Sequence, residues 1–427
     1  MPQLRSVLMI VPLLLPSVVQ RTVAQQIANN PTDLQRVGDK VVKINDAISM
    51  VAGFGNTFAV STPEGNVIID TSNVLHARVH RKLLGAAISG PIKYIILTHA
   101  HADHAGGVSL WKEPGTQVIA QRNHVEFVNY QTRLAGFFAR RNSAQFARSI
   151  PPPQEWAGNY GAKIEATVLF DDKYEFTLGG VKFELFHTPG ETPDHLTVWL
   201  PQYKAAFVGD NYYGSFPNIY TLRGTQPRWA LDYVRSLNKV LSLGPDFVIP
   251  SHGTPITNGA EAKRALTRYR DAIQYVHDET VKGMNAGKDV LTLMNEIKLP
   301  AELQMGESYG TVAWTVHGVY DGYVGWFDET PTGMYSRPAS SVYPEVVKLA
   351  GGGDAFAKLA VQHIEKGEPV EALYLTDISL AAEPNNKNSL DARLKALVLL
   401  RDQCRNSNER GWLDYFIRVT EQKLNSK

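Results

Sequence analysis

The densest cluster of possible metal ligands in this 427-residue chain lies in one short segment, with three histidines and an aspartate at His99, His101, Asp103 and His104. In an extended segment His99 and His101 point to one side, and Asp103 and His104, on the turn that follows, can face a second point nearby. Neutral imidazoles with carboxylates suit a divalent ion such as zinc. The alternative is a polar loop of hydrogen-bonded histidines, which is disfavoured because crowded imidazoles repel one another when charged.

Three further residues of ligand type follow apolar runs downstream. Glu191 comes after residues 183–186, Asp210 after residues 205–208 and His252 after residues 247–249. Taken singly, each is better explained as a turn or capping residue. Ligands collect at the ends of strands in α/β folds, so the three together with the histidine-rich segment favour a site for two metal ions. The single cysteine, Cys404, excludes a CxxC zinc site.

The segments that must position these residues change character along the chain. Residues 94–97, directly before the histidine-rich segment, are a continuous apolar run typical of a strand buried on both faces. Short strand patterns recur over residues 39–70 and 167–208, with helices predicted over residues 77–89, 123–148 and 226–243. After about residue 260 the patterns are almost all helical. We predict an α/β catalytic domain over residues 25–260 and a helical domain over residues 261–427.

The charge balance and the N-terminus bear on partners and location. The chain has 43 Lys+Arg against 42 Asp+Glu, which argues against a dedicated nucleic-acid binder and against disorder. Arg5, the apolar run 7–19 and the small residues before Gln25 predict a signal peptide over residues 1–24, and hence a periplasmic or secreted protein. A membrane anchor is the alternative, but the run is short and contains Pro12 and Pro16.

Residues 39–252 resemble the metallo-β-lactamase superfamily, whose fold is an αββα sandwich. Within it the chain is most similar to the alkylsulfatases. Glu191 stands where most members have a histidine, residues 218–224 (Asn-Ile-Tyr-Thr-Leu-Arg-Gly) resemble the segment that holds the sulfate, and residues 309–328 resemble the start of the alkylsulfatase dimerisation domain. The resemblance implies a hydrolase of alkyl sulfate esters that forms a homodimer.

It also implies roles for individual residues. Two Zn²⁺ ions would bind through His99, His101 and Glu191 on one side and Asp103, His104 and His252 on the other, with Asp210 bridging. Asp103 and Asp210 would thus belong to the catalytic centre that activates a water, while Asp70 would support the metal loop. Asn218 and Arg223 would hold the sulfate. Apart from the resemblance, Tyr160 lies in a loop and is predicted to reach the substrate, with packing as the alternative. His195 is predicted to support the ligands, rather than to replace Glu191 or be purely structural.

The chain departs from the alkylsulfatase pattern at several points. Trp314 stands where a histidine near the sulfate is usual, Asp210 stands where a glutamate is usual, and no sterol-carrier-like domain is expected after residue 427. Three other functions therefore stay open. They are hydrolysis of a β-lactam, lactone or phosphoester on the same fold, an iron-dependent oxidoreductase, and a scaffold that uses the helical half. Glu191 in place of histidine speaks against a true β-lactamase.

Overall fold

Two β-sheets form the centre of the first half of the chain. The computed structural model describes residues 37–146 and 166–426. One sheet has seven strands in the order β1 to β7, and the other has five in the order β12-β11-β10-β9-β8. The strands are β1 (Val42–Lys43), β2 (Ile48–Val51), β3 (Thr57–Thr62), β4 (Gly65–Ile69), β5 (Ile92–Ile96), β6 (Gln117–Gln121), β7 (Val168–Phe170), β8 (Lys173–Leu178), β9 (Val181–His187), β10 (Leu196–Leu200), β11 (Ala205–Gly209) and β12 (Phe247–Pro250).

The two sheets face each other across a shared apolar core. Side chains from both sheets are fully buried there, including Phe58 and Ile69 from one sheet and Phe183, Val198 and Phe207 from the other. The rings of Phe58 and Phe207 meet edge to face with centroids 5.3 Å apart. Neighbouring strands β4, β5 and β6 run parallel, as do β11 and β12, so their carboxyl ends meet at one edge of the sandwich.

Helices cover the outer faces of both sheets, so the predicted αββα sandwich is confirmed. The helices of the first half are α1 (Ala77–Ala87), α2 (Ala102–Ala105), α3 (Val108–Trp111), α4 (His124–Arg133), α5 (Ala135–Gln145) and α6 (Ala230–Leu243). Leu84 of α1 and Trp111 of α3 pack on one sheet, and Tyr233 and Leu237 of α6 pack on the other. Apolar residues at helical spacing direct one stripe of each helix inward.

The helix predicted over residues 123–148 is two helices within the described part of the chain. Leu134, with φ −105° and ψ 18°, leaves helical geometry between α4 and α5. Phe127 of α4 and Phe138 of α5 are both buried, and Tyr130 meets Phe138 edge to face at 5.5 Å. Both phenylalanines are thus buried, one on each side of the break.

The rest of the described chain is helical. Its helices are α7 (Gly259–Asn285), α8 (Val290–Glu296), α9 (Val312–Val324), α10 (Tyr343–Leu349), α11 (Gly353–Glu365), α12 (Pro369–Ala382), α13 (Lys387–Gln403) and α14 (Ser407–Asn425). Leu266, Tyr269 and Ile273 of α7 share a core with α6, so α7 adjoins the sandwich directly. The division into two domains near residue 260 stays a prediction. No helix in the described ranges is both long and apolar enough to span a bilayer.

The last helix returns to the sandwich. Asn408 Oδ1 accepts a hydrogen bond from Gln145 Nε2 at 2.8 Å, at the end of α5, and Gly411 packs against the Gln145 carbonyl. The Arg141 guanidinium lies over the Trp412 ring at 5.4 Å. Helix α14 therefore supports α5, which borders the site described next.

Candidate metal centre

A buried aspartate fixes the histidine-rich segment at the end of β5. Asp70 follows β4 with a left-handed φ of 53° and is fully buried. Its Oδ1 accepts the Thr98 N–H at 2.8 Å. Its Oδ2 accepts Thr98 Oγ1 at 2.8 Å, Ser251 Oγ at 2.7 Å and His104 Nδ1 at 2.9 Å. These bonds join three strand ends, and they assign the proton of neutral His104 to Nδ1, which leaves Nε2 free as a ligand atom.

A first group of ligand atoms comprises His99, His101 and Asp210, which lie within 4.8 Å of one another and are buried. Glu191 adjoins this group, because its Oε1 lies 3.7 Å from His101 Nδ1. His99 and His101 come from the extended turn after β5, Asp210 follows β11, and Glu191 lies in the loop after β9.

A second group comprises Asp103, His104 and His252, again within 4.8 Å. His252 Nε2 lies 3.3 Å from Asp103 Oδ2 and 3.1 Å from Asp210 Oδ2. His104 Nε2 lies 3.5 Å from Asp210 Oδ2, and His99 Nε2 of the first group lies 3.9 Å from the same oxygen. The Asp210 carboxylate therefore stands between the two groups, and the structure brings together all seven residues singled out in the sequence.

This donor set fits divalent metal ions. The set holds four imidazoles and three carboxylates and has no thiolate, which suits zinc and other borderline cations. His104 Nε2 and Asp210 Oδ1 are buried and make no hydrogen bond to any residue in the described ranges. Buried polar atoms are normally hydrogen-bonded, so these two ligand atoms without a partner among the described residues indicate that something else completes the site.

The two groups differ in the pKa values of their histidines. Burial lowers the pKa of His99 and of His101 well below the usual value, and the neighbouring cationic groups add to this. Burial also opposes charge on His252, but Asp210 and Asp103 outweigh it and raise its pKa to about 10. The same carboxylates raise the pKa of His104. The first group is therefore ready to bind a cation, whereas the second group must lose protons when one binds.

His195 lies behind Asp210. Its Nε2 accepts the Asp210 backbone N–H at 3.1 Å, and its Nδ1 donates to the Thr188 carbonyl at 3.0 Å. Burial lowers the pKa of His195 to about 4, which keeps the ring neutral and able to accept. Gly209 has φ 51°, and a Cβ there would lie 2.2 Å from His195 Nε2. The close approach of His195 to the Asp210 backbone thus requires glycine at position 209.

The sequence reasoning did not identify two residues that contact Glu191. Arg228 Nη1 and the Tyr233 hydroxyl both donate to Glu191 Oε2, at 2.5 Å and 2.8 Å. All three side chains are buried. Burial raises the pKa of Glu191, and the positive charge of Arg228 counteracts this. No local motif marks Arg228 or Tyr233, because their partner lies 37 and 42 residues away.

The segment predicted to hold a sulfate lies beside the first group. The charge of Arg223 acts on His101 and contributes to its lowered pKa. Asn218 is buried, and its Oδ1 makes no hydrogen bond to any described residue. Arg141 of α5 donates to the carbonyls of Leu222 and, at 2.7 Å, of Arg223.

Two other residues singled out in the sequence are Tyr160 and Trp314. Tyr160 is outside the described ranges. Trp314 is half-buried on α9, where its backbone N–H donates to Oγ1 of Thr311, the residue that caps the helix. Tyr309, just before α9, is nearer to the site: the charges of Arg223, Glu191 and Asp103 all act on its hydroxyl, whose pKa burial raises.

Comparison with known proteins agrees with this geometry. Residues 50–252 match the model described as metallo-beta-lactamase superfamily, and residues 290–422 match the model described as alkyl sulfatase dimerisation. The fold and the ligand set thus define a metal-dependent hydrolase of the metallo-β-lactamase superfamily, a class that binds divalent metal ions.

Curated relatives narrow the class. The chain is 30% identical over 379 residues to a linear primary-alkylsulfatase of a Pseudomonas species, covering 83% of this chain and 71% of that one. It is 28% identical over 348 residues to the alkyl/aryl-sulfatase BDS1 of Saccharomyces cerevisiae, covering 75% of this chain and 54% of the yeast protein. The solved structure of the inverting sec-alkylsulfatase Pisa1 from Pseudomonas superposes with TM-score 0.81 at 23% identity, covering 95% of this chain and 70% of that one. The chain belongs to the alkylsulfatase family.

Proposed function

We propose that this chain is a binuclear zinc hydrolase that cleaves alkyl sulfate esters with water. The observation that carries the proposal is the position of Asp210, whose carboxylate stands between two groups of buried ligands, next to a loop that presents Asn218 and Arg223. The chain spans 71% of one curated alkylsulfatase and about half of three others, so its substrate range has to be tested directly.

His99, His101 and Glu191 would hold one ion, Asp103, His104 and His252 the other, and Asp210 both. Bound zinc ions lower the pKa of a water and stabilise negative charge that develops on an ester oxygen. The protein's own part is to keep ligand positions fixed. Asp70 and His195 do this by holding His104 and the Asp210 backbone.

The sulfate end of the substrate would meet the loop of residues 218–224. The guanidinium of Arg223 offers a planar fork that matches two oxygens of a sulfate. Arg141 donates hydrogen bonds to backbone carbonyls of this loop. The Arg223 guanidinium is therefore not needed to hold the loop in position. Aromatic rings border the second group: Phe54 lies 5.4 Å and Tyr213 lies 6.5 Å from the His252 ring, between centroids. They provide an apolar wall for an alkyl group.

Metal analysis and a substrate panel test the proposal. We expect two zinc ions per chain and release of sulfate from alkyl sulfates, with little turnover of a β-lactam, a lactone or a phosphodiester. Release in ¹⁸O-labelled water then shows whether the S–O or the C–O bond breaks. Iron in place of zinc, or preference for another ester, contradicts the proposal.

Two variants address the assigned residues. Asp210→Ala should abolish turnover and weaken binding of both ions, because its carboxylate contacts ligands of both groups. Arg223→Ala should impair hydrolysis of sulfate esters far more than that of a neutral lactone. Full activity of the first variant, or equal losses with the second, contradicts the assignment. Arg140→Ala, exposed on α5, is a matched control for loss of an arginine.

We further propose a homodimer exported from the cytoplasm. The dimerisation model covers residues 290–422, a region with exposed apolar side chains such as Trp326 (80%), Tyr335 (70%) and Leu349 (88%). Light scattering should give twice the chain mass, and Trp326→Glu with Leu349→Glu should halve it.

The signal peptide predicted over residues 1–24 lies outside the described residues. The mass of the protein recovered from periplasm or medium should match a chain beginning at Gln25.

A further inference from the structure

The two oxygens of the Glu191 carboxylate have different surroundings. Oε1 lies 3.7 Å from His101 Nδ1 and faces the first ligand group. Oε2 faces away and accepts hydrogen bonds from Arg228 Nη1 at 2.5 Å and from the Tyr233 hydroxyl at 2.8 Å. Since Oε2 is already engaged twice, only Oε1 is free to approach a metal ion.

The residues that contact Oε2 are themselves fixed. Tyr233 lies on α6, is fully buried and belongs to the core between α6 and α7. Arg228 precedes α6, and only 6% of its surface is exposed. A guanidinium in such surroundings needs an anionic partner, and Glu191 supplies it. Glu191 in turn is held from its backbone side, where its N–H donates to Asn211 Oδ1 at 3.0 Å.

The same nitrogen of Arg228 also bonds to the loop of residues 218–224. Besides Glu191 Oε2, Nη1 donates to the Asn218 carbonyl at 2.8 Å. One guanidinium nitrogen therefore connects the loop that carries Glu191 with the loop that carries Asn218. A lysine at this position has no planar fork and cannot reproduce the rigid geometry of these bonds.

We propose that Arg228 and Tyr233 are positioning residues that make Glu191 a ligand through Oε1 alone, and that Arg228 also sets the position of Asn218 relative to that ligand. This inference rests on the proposed role of Glu191 as a metal ligand. A histidine ligand is neutral, and its ring fixes the direction of the one nitrogen that it presents. A carboxylate has two equivalent oxygens and a negative charge, and the Arg228–Tyr233 pair compensates for both differences.

The test compares Tyr233→Phe, Arg228→Lys and the wild type in stepwise zinc titrations of metal-free protein against a chromophoric chelator. Tyr233→Phe removes a single hydroxyl and retains the buried ring. Loss of such a supporting hydrogen bond typically weakens metal binding by about 10- to 100-fold. We expect that loss in one of the two binding steps, with the other step changed by less than about threefold. Tyr94→Phe, whose ring packs on Phe176 in the other half of the sandwich, is the control and should match the wild type.

Substitution with Co²⁺ adds a spectroscopic readout. The visible absorption of the first Co²⁺ site should change in Tyr233→Phe and Arg228→Lys, because an unrestrained carboxylate can bind through both oxygens. At saturating zinc, Arg228→Lys should raise KM for an alkyl sulfate by more than Tyr233→Phe does, because only Arg228 bonds to the Asn218 carbonyl.

The outcomes separate this inference from the proposed function. If Glu191→Ala leaves both zinc-binding steps unchanged, Glu191 is not a ligand and both proposals fail. If Glu191→Ala abolishes one step but Tyr233→Phe and Arg228→Lys bind both ions as the wild type does, the proposed function stands and the positioning role is wrong. Equal weakening of both steps in Tyr233→Phe, with a lower free energy of unfolding, indicates a structural role alone and also overturns it.

Discussion

Replacement of Asp70 by alanine is the sharpest test of how the metal loop is held. Asp70 is fully buried and accepts four hydrogen bonds, from the Thr98 N–H, Thr98 Oγ1, Ser251 Oγ and His104 Nδ1. Alanine removes both acceptor oxygens and leaves all four donors in place. The variant therefore measures the cost of unpaired donors in a site that water does not reach.

The loss of unfolding free energy depends on which of the four donors can find another acceptor. A buried donor left without a hydrogen bond costs about 1–3 kcal/mol. The Thr98 hydroxyl can turn toward His99 Nδ1, 3.1 Å away, and the Ser251 hydroxyl is also free to rotate. The Thr98 N–H is fixed by the backbone, and the His104 Nδ1–H can reach another acceptor only if its ring rotates. We expect the free energy of unfolding to fall by about 2–6 kcal/mol, a large part of the 5–15 kcal/mol typical of folded proteins.

Urea unfolding of metal-free protein provides the assay, because bound metal would stabilise the folded state by mass action. Asp391→Ala, exposed on α13, controls for loss of an aspartate and should change the free energy of unfolding by less than about 0.5 kcal/mol. Zinc titration should show weaker binding at the step that uses His104, because the ring is no longer held with Nε2 toward the site. A stability loss below about 1 kcal/mol together with unchanged zinc binding would refute this account of Asp70.

Three further expectations concern the protonation of His252, the loop of residues 218–224 and the protonation of His80. Because carboxylates raise the pKa of His252 to about 10, the metal-free protein holds a proton there at neutral pH, so zinc affinity should increase with pH until about pH 10. Calorimetry in buffers of different ionisation enthalpy measures the protons released, and release of none would contradict it. Arg141→Met should raise KM for an alkyl sulfate on the order of 10-fold with little change in kcat, while Arg140→Met should not; equal KM values would show that Arg141 does not position the loop. Burial lowers the pKa of His80 to about 3, below its unfolded value of about 6.5, so the unfolded chain binds the extra proton between these values and stability should fall as pH falls through that window. His80→Gln should flatten this part of the stability profile, and an unchanged slope would assign it to other groups.

Most of the site was predictable because its ligands follow apolar runs. The ends of buried strands can be recognised in a sequence, and parallel strands bring their carboxyl ends to one edge. Glu191, Asp210 and His252 were predicted on this basis, and the structure places each beside the histidine-rich segment. The αββα sandwich followed from the same runs together with the resemblance. The assignment of ligands to two separate ions required the resemblance, since spacing alone does not give distances.

Three of the supporting residues were not predictable from local patterns. Arg228, Tyr233 and Arg141 are ordinary residues of helices and loops until their partners are known, and those partners lie 37, 42 and 82 residues away. The break at Leu134 was missed because the apolar spacing continues through it. The short strand β6 has too few residues for its apolar pattern to distinguish strand from helix.

The return of α14 to the sandwich has a consequence for folding. The bond between Asn408 and Gln145 spans 263 residues, and that between Ser251 and Asp70 spans 181. Contacts of such large sequence separation form slowly, because a long loop must close before they contribute. The helix that carries Arg141 gains its support from α14 only after residues 407–425 have been translated. We therefore expect that a nascent chain whose seven candidate metal ligands are already translated still lacks the support of α14 beneath the loop that carries Arg223.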